Sequence, residues 1–255
     1  MTICATKIFD FLEKNQILIE KHEVFLVDFS RLRHNLRSII ERVSQSDNIE
    51  AYEICTQFRV LLSEWLTAPV IFDEYFFENL RFFSDPSTVA SKWGNDVRVY
   101  FEAALNSAEK LINQTNPVRS ILLETIRELR IQNKSFKIYC HRLAKPHFDS
   151  IIDPETGTKI ENDKFIHTAK DYRDLEPVDV LIKVGPLRAK GWGSVPDAII
   201  TSPRFRKLVQ VVWRGCFDEN DFGYNPVVSA DMASINSLKI EFSSSSVASS
   251  TIVKI

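Results

Sequence analysis

The sequence predicts an α/β protein, with an N-terminal helical domain followed by a domain on a parallel sheet. Three observations carry that prediction. Six of the seven glycines (Gly157, Gly185, Gly191, Gly193, Gly215, Gly223) follow residue 156, and only Gly94 precedes it. A long stretch nearly free of Gly and rich in Leu, Ile, Phe and Glu favours helix. After Lys134, short runs of branched and aromatic residues recur, and one of them, 178–184 (VDVLIKV), has the apolar continuity of a buried parallel strand. Strands alternating with short helical pieces imply a parallel sheet. The expected division is residues 1–132 helical, 133–230 α/β and 231–255 a Ser-rich hairpin or tail.

In the first half, Ile8, Phe11, Leu12 and Ile19 fall at helical spacing. Val24, Val27, Phe29, Leu32, Leu36, Ile39 and Ile40 form a second stripe, and Ile54, Phe58, Leu61, Leu62 and Trp65 a third. Pro69, Pro86 and Pro117 punctuate the run, because Pro disfavours helix in the residue before it. Ser87 is the expected cap of a helix through Val89 and Ala90, and Asn95 or Asp96 starts the next. Pro117 suits the first turn of a helix over 118–131. The segment 72–83 is dense in aromatics. Helical spacing groups Phe72, Tyr75, Phe76, Asn79 and Phe83 and leaves Phe77 and Phe82 aside. Those two are expected to meet the α/β domain or a partner chain.

In the second half, strands are expected at 136–140, 164–167, 178–184, 198–200 and 208–213. The end alternates Leu238, Ile240 and Phe242, passes through Ser243–Ser246 and closes on Ile252, Val253 and Ile255. It reads as a hairpin around the serines.

Composition narrows function by exclusion. Lys plus Arg is 32 and Asp plus Glu is 34, a net charge of −2, so no global field draws the chain to nucleic acid or membrane. No apolar run approaches the roughly 18 residues of a membrane span, and the first residues lack the layout of a signal peptide. Cys4, Cys55, Cys140 and Cys216 form no CxxC, which fits a reduced, cytoplasmic chain. No phosphate loop, dinucleotide fingerprint, HExxH or GxSxG occurs. Cys140, His141 and His147 lie close in sequence, but adjacent strand residues point to opposite faces, so no metal is expected. A PD-(D/E)xK nuclease would need an acid and a Lys in the strand after Asp197, where Val209, Gln210, Val211 and Val212 stand. Asp171, Asp174 and Glu176 read as a solvated helix end. No cofactor is expected.

The block 136–217 resembles the second RecA-like lobe of superfamily 2 helicases and Swi/Snf-type translocases. Val180-Leu181-Ile182 stands for the strand that precedes the glycine loop. Arg188-Ala189-Lys190-Gly191-Trp192-Gly193 stands for that loop, and Gln210 to Arg214 sits at the final arginine motif. Trp213 replaces the usual Gly and Phe217 the second Arg, so the resemblance implies a degenerate lobe. Arg214, Gln210 and Gly191 would be vestiges of nucleotide binding, and Arg188, Lys190, Arg204, Arg206 and Lys207 would meet phosphates. The function implied is a non-catalytic subunit or fragment that docks within a larger DNA- or RNA-handling complex, such as an antiviral defence assembly, with protein subunits as partners and nucleic acid a further one. The alternative is a protein-interaction adaptor that uses the Phe-rich helix. Exposure of those rings, or their burial, discriminates the two.

Overall fold

A computed structural model describes residues 17–81, 85–187, 199, 203–214 and 240–248, the last stretch and residues 79 and 81 by backbone alone. The α/β class and the parallel sheet are as the sequence predicts. Among the described residues six strands, β1 (Ile17–Phe25), β2 (Phe136–Tyr139), β3 (Phe165–Ile166), β4 (Val178–Val184), β5 (Phe205–Trp213) and β6 (Ile240–Ala248), lie in the order β3-β2-β4-β5-β1-β6. The pairs β3–β2, β2–β4, β4–β5 and β5–β1 are all parallel. Among the described residues no helix is long and apolar enough to cross a membrane.

The first strand departs from expectation. Residues 17–25 (ILIEKHEVF) carry four consecutive charged or titratable side chains, which mask the alternation of a strand. Pairing to β5 from Leu18↔Lys207 to Val24↔Trp213 makes the segment a strand all the same. The polar residues neutralise one another there: Lys21 lies 3.1 Å from Glu23, His22 lies 2.5 Å from Glu20, and Lys207 of β5 reaches Glu20.

The chain divides into two units, and the division differs from the expected one. The sheet unit comprises the described parts of Met1–Val24, Leu66–Pro69 and Val118–Ala248. The other comprises those of Phe25–Trp65, Val70–Pro117 and Ser249–Ile255. The sheet therefore takes its strand β1 from before the helices, so no single cut near 132 separates the parts. Two further expectations change. The serines 243–246 lie within strand β6 rather than in a hairpin turn. Ile199, expected in a strand over 198–200, is helical and buried.

In the helical unit, α1 (Val27–Val43) buries Phe29, Leu32, Leu36, Ile39, Ile40 and Val43, spaced by three or four as one face requires. Helix α2 (Ile49–Thr67) follows, with Ala51, Cys55, Phe58, Leu62 and Trp65 buried. Asp73 starts α3 (Glu74–Arg81), its Oδ1 accepting from the Phe76 N–H at 2.9 Å. Asp85, not Ser87, caps α4 (Pro86–Trp93), accepting from the Ser87 and Thr88 N–H groups at 2.8 and 3.2 Å. The carboxylate wins this position because Pro86 takes the first helical turn, where its missing N–H costs nothing. Helix α5 (Asn95–Leu111) presents Ala104 and Ala108, both fully buried, and α1 packs closely along it.

In the sheet unit, α6 (Pro117–Ile131) buries Val118, Ile121, Leu122, Ile126 and Leu129. Two five-residue helices, α7 (Lys145–Asp149) and α8 (Ala169–Arg173), serve the β2–β3 and β3–β4 connections. On one face of the sheet Ile17, Ile19, Leu181, Leu208, Tyr139 and Ile166 form a single core with Tyr172 and Leu175.

Candidate functional site

Parallel sheets bind ligands where the strand order reverses, beyond the strand carboxyl ends. Here the order reverses about β2, with β3 on one side and β4 on the other. The groups gathered at that end are Cys140 and His141 after β2, His167 after β3, and Lys183 and Gly185 at the end of β4. Tyr139, Lys183, Gln210 and Lys21 lie in one register row across β2, β4, β5 and β1.

This end is tied down by its own contacts. Lys183 is 1% exposed and its Nζ donates to the Val184 carbonyl at 2.5 Å. Gln210 Nε2 donates to the Gly185 carbonyl at 3.1 Å. Gly185 has φ +82°, and a Cβ there would lie 2.6 Å from the Leu66 carbonyl oxygen, so the segment Leu66–Pro69 passes directly against the end of β4. Arg119 of α6 fixes that segment by donating to the Pro69 carbonyl at 2.8 Å.

The thiol and imidazoles are equally occupied. Burial pushes the Cys140 thiol up to about 12, against the pull of Lys183 and Lys145. It stays protonated at neutral pH and is a poor nucleophile. His167 Nδ1 lies 3.0 Å from the Cys140 carbonyl oxygen, and its ring stacks on Phe165. His141 Nδ1 accepts from the Leu143 N–H at 3.3 Å. Burial, then His167 and Lys183, lower its pKa, so the ring is neutral at pH 7. Among the described residues no three His, Cys, Asp or Glu side chains are placed to hold a metal. Asp171 closes a capping box with Thr168 at the start of α8, a helix-end role.

The residues expected to meet nucleotide or phosphate are scattered. Arg188, Lys190 and Gly191 lie outside the described residues, as does Phe82. Gln210 is buried in the sheet. Arg204, 8% exposed, turns inward: its guanidinium donates to the Arg173 carbonyl and, at 2.9 Å, to the Leu175 carbonyl. It is a core-holding residue, because it supplies donors to the carbonyls at and just after the end of α8. Lys207 is engaged with Glu20. Burial works to raise the Glu20 pKa, but Lys207 and His22 hold the carboxyl below its usual range. Arg206 is exposed with Asp179 3.8 Å away, and Arg214 is exposed beside Glu23.

Among the described aromatics of the Phe-rich segment, the three Phe rings lie in the core. Phe72, Phe76 and Leu80 are buried, with the Phe76 ring tilted against Trp65 at 4.5 Å and edge-on to Phe72 at 5.1 Å. Phe77, expected off the buried stripe, is only 8% exposed. Tyr75, expected on it, is 70% exposed. The difference is one of helix phase. The helix starts at Glu74, so Phe72 precedes it and does not set its face.

A different cluster forms in the helical unit. A cleft of about 690 Å³ lies between α1 and α5, lined by Arg31, Arg33, His34 and Arg37 from α1 and by Asn106, Ser107 and Lys110 among others from α5. None of the described residues lining it is acidic, although the chain has 34 acidic side chains to draw on. Arg33 is half-buried. Burial first, and the neighbouring Arg37 second, lower its pKa, as like charges brought together must. It remains a cation, since guanidinium does not deprotonate in proteins. Close by, Arg42 fastens the two helices, its guanidinium 4.3 Å over the Tyr100 ring and 3.2 Å from the Tyr100 hydroxyl. The signal is present in the sequence: RLRHNLR places four basic side chains within two turns of α1, but the apolar stripe of the same helix hides it.

Comparison with protein-family models, with curated proteins and with solved structures returns no match to this chain.

Proposed function

We propose that this chain is a non-catalytic docking component that holds nucleic acid by its phosphate backbone, as part of a larger DNA- or RNA-handling assembly. The observation that carries it is the α1–α5 cleft, where Arg33, His34, Arg37 and Lys110 converge without an acid among the described lining residues, and where Arg31, 3.7 Å from Asp28, adds a further guanidinium. Concentrating like charge costs stability, and a polyanion repays that cost by releasing its counterions as it binds. The resemblance of 136–217 to a helicase lobe supports the same class of partner. It places contacts at Arg204 and Lys207, however, and those side chains are engaged within the sheet unit. The helical unit is therefore the phosphate-binding part. The 255 residues contain no phosphate loop, and the Cys140 thiol is held protonated, so the proposal assigns binding rather than turnover.

The test is fluorescence anisotropy with labelled oligonucleotides across a salt series. Arg33→Gln with Arg37→Gln should weaken binding and reduce the salt slope by about one for each phosphate that the two guanidinium groups neutralise. Arg206→Gln, on the other unit, should leave both unchanged. Binding that is indifferent to the Arg33 and Arg37 changes at every salt concentration would overturn the proposal.

A further inference from the structure

We infer that the nucleic acid held by this chain is single-stranded, with one base seated beside Tyr52 in a second cleft of the helical unit; this rests on the phosphate-binding proposal above. The second cleft, about 580 Å³, is lined by Ser44, Ser46, Asp47, Asn48, Tyr52 and Arg59 among others. Tyr52 is 70% exposed although its neighbours Ala51 and Cys55 in α2 are buried. An aromatic ring left at the rim of a cleft of mixed polar and apolar lining is a stacking platform for a base, tolerant of sequence because every base has a π-face.

The two clefts share a helix. Ser44 caps the end of α1 with helical backbone angles, and it stands seven residues after Arg37. Seven residues are nearly two full turns, so Ser44 returns to the same side of α1 about 10 Å further along. A strand leaving Arg33 and Arg37 along that side arrives at the second cleft.

The linings differ in kind. The first is cationic. The second holds hydroxyls, an amide, one guanidinium and one carboxylate beside the apolar side chains of Ile49 and Ala51 and the Cys55 thiol. Asp47 repels a phosphate but accepts from the amino group of a base. Asn48 uses its Oδ1 on the Ala51 N–H at 2.7 Å, which leaves its amide N–H groups as donors. Such a site suits a neutral ring with hydrogen-bonding edges. Bases within a duplex are stacked and cannot reach it, whereas a single strand splays them outward. Glu41 is exposed on α1 between the two clefts and opposes a phosphate there, so its removal should strengthen binding.

The experiment uses the full chain with labelled 15-mer oligo(dT), 15-mer oligo(rU) and a 15-base-pair DNA duplex. At least one single strand should bind about tenfold more tightly than the duplex. Tyr52→Ala should weaken single-strand binding by about tenfold with the salt slope unchanged, while Tyr52→Phe retains it. Glu41→Gln should tighten binding severalfold. Because Tyr52 is exposed, its variants should keep the wild-type thermal midpoint. Equal affinity for duplex and single strand, or a Tyr52→Ala variant that binds as wild type, overturns the inference while leaving dependence on Arg33 and Arg37 intact. Loss of that dependence would instead remove the phosphate-binding proposal, and this inference with it.

Discussion

The Arg204 backbone N–H donates to the Tyr172 hydroxyl at 2.9 Å, and the Arg204 guanidinium lies 5.6 Å from the centre of the same ring. Tyr172 is fully buried, and burial raises its pKa, so the phenol stays neutral and available to this contact. The pair joins α8 to the start of β5 and ends in two carbonyls, those of Arg173 and Leu175, that depend on the guanidinium.

Arg204→Ala leaves both carbonyls without that donor. A buried acceptor left unmade costs about 1–3 kcal/mol, so the variant should lose about 2 kcal/mol or more of stability. Oligonucleotide affinity, measured below the unfolding temperature, should stay at the wild-type value. A variant of unchanged thermal midpoint with weakened binding would reverse the assignment of Arg204.

Gly185→Ala should be far more costly than Gly157→Ala. Both glycines have positive φ, +82° and +67°. A Cβ at Gly157 meets nothing within 4 Å, whereas one at Gly185 meets backbone, at 2.6 Å from the Leu66 oxygen and 3.0 Å from the Thr67 Cα. The conformation alone costs on the order of 1 kcal/mol. The collision adds to it at Gly185, because backbone cannot swing aside like a flexible side chain. Urea titration of the two variants measures the difference. Equal midpoints would mean that Leu66–Pro69 does not lie against β4 in solution.

Acid should weaken the sheet unit through Asp153. Its carboxylate faces the Arg127 guanidinium in a two-bond fork, Nε to Oδ2 at 2.7 Å and Nη2 to Oδ1 at 2.5 Å. The Arg127 hydrogen bonds hold this carboxyl well below the usual carboxylate range, outweighing burial. A carboxyl whose folded pKa is depressed contributes fully above its unfolded pKa, near 3.9. That contribution is lost as pH falls from there toward the folded value. Asp153→Asn should therefore lower the thermal midpoint at pH 7 and flatten its decline below about pH 4. Wild-type and variant curves that run parallel from pH 7 to pH 2 would show that the fork contributes no pH dependence.

Phe77 and Tyr75 separate core from surface within two residues of α3. Replacing a buried Phe with a small residue costs about 3–5 kcal/mol, so Phe77→Ser should lower the thermal midpoint strongly. Tyr75→Ser should stay within about 0.5 kcal/mol of wild type. A stable Phe77→Ser chain that fails to assemble with a partner would restore the adaptor alternative.

Features set by neighbouring residues are legible in the sequence. The run 178–184 is an interior strand of the sheet, buried at every residue but Asp179, and the sequence shows that apolar continuity directly. Pro117 opens α6, as its fixed φ favours. The phase of α3 departs from the expected one because Phe72 resembles its helical neighbours in chemistry but precedes Asp73, which caps the helix. Strand β1 is masked in the sequence because four charged or titratable residues interrupt its pattern, and its pairing partner β5, which supplies Lys207 to Glu20, lies far along the chain.

The sequence by itself determined the α/β class, most of the helices and the main strands, since periodicity and apolar continuity are properties of neighbouring residues. Tertiary structure alone decided that the segment before the helices joins the sheet, that Arg204 points into the core, and that basic residues of α1 meet Lys110 of α5 in one cleft. Each of these depends on residues far apart in the chain. Whether a charged side chain finds water, a carbonyl or another charge is set by which distant segment packs against it.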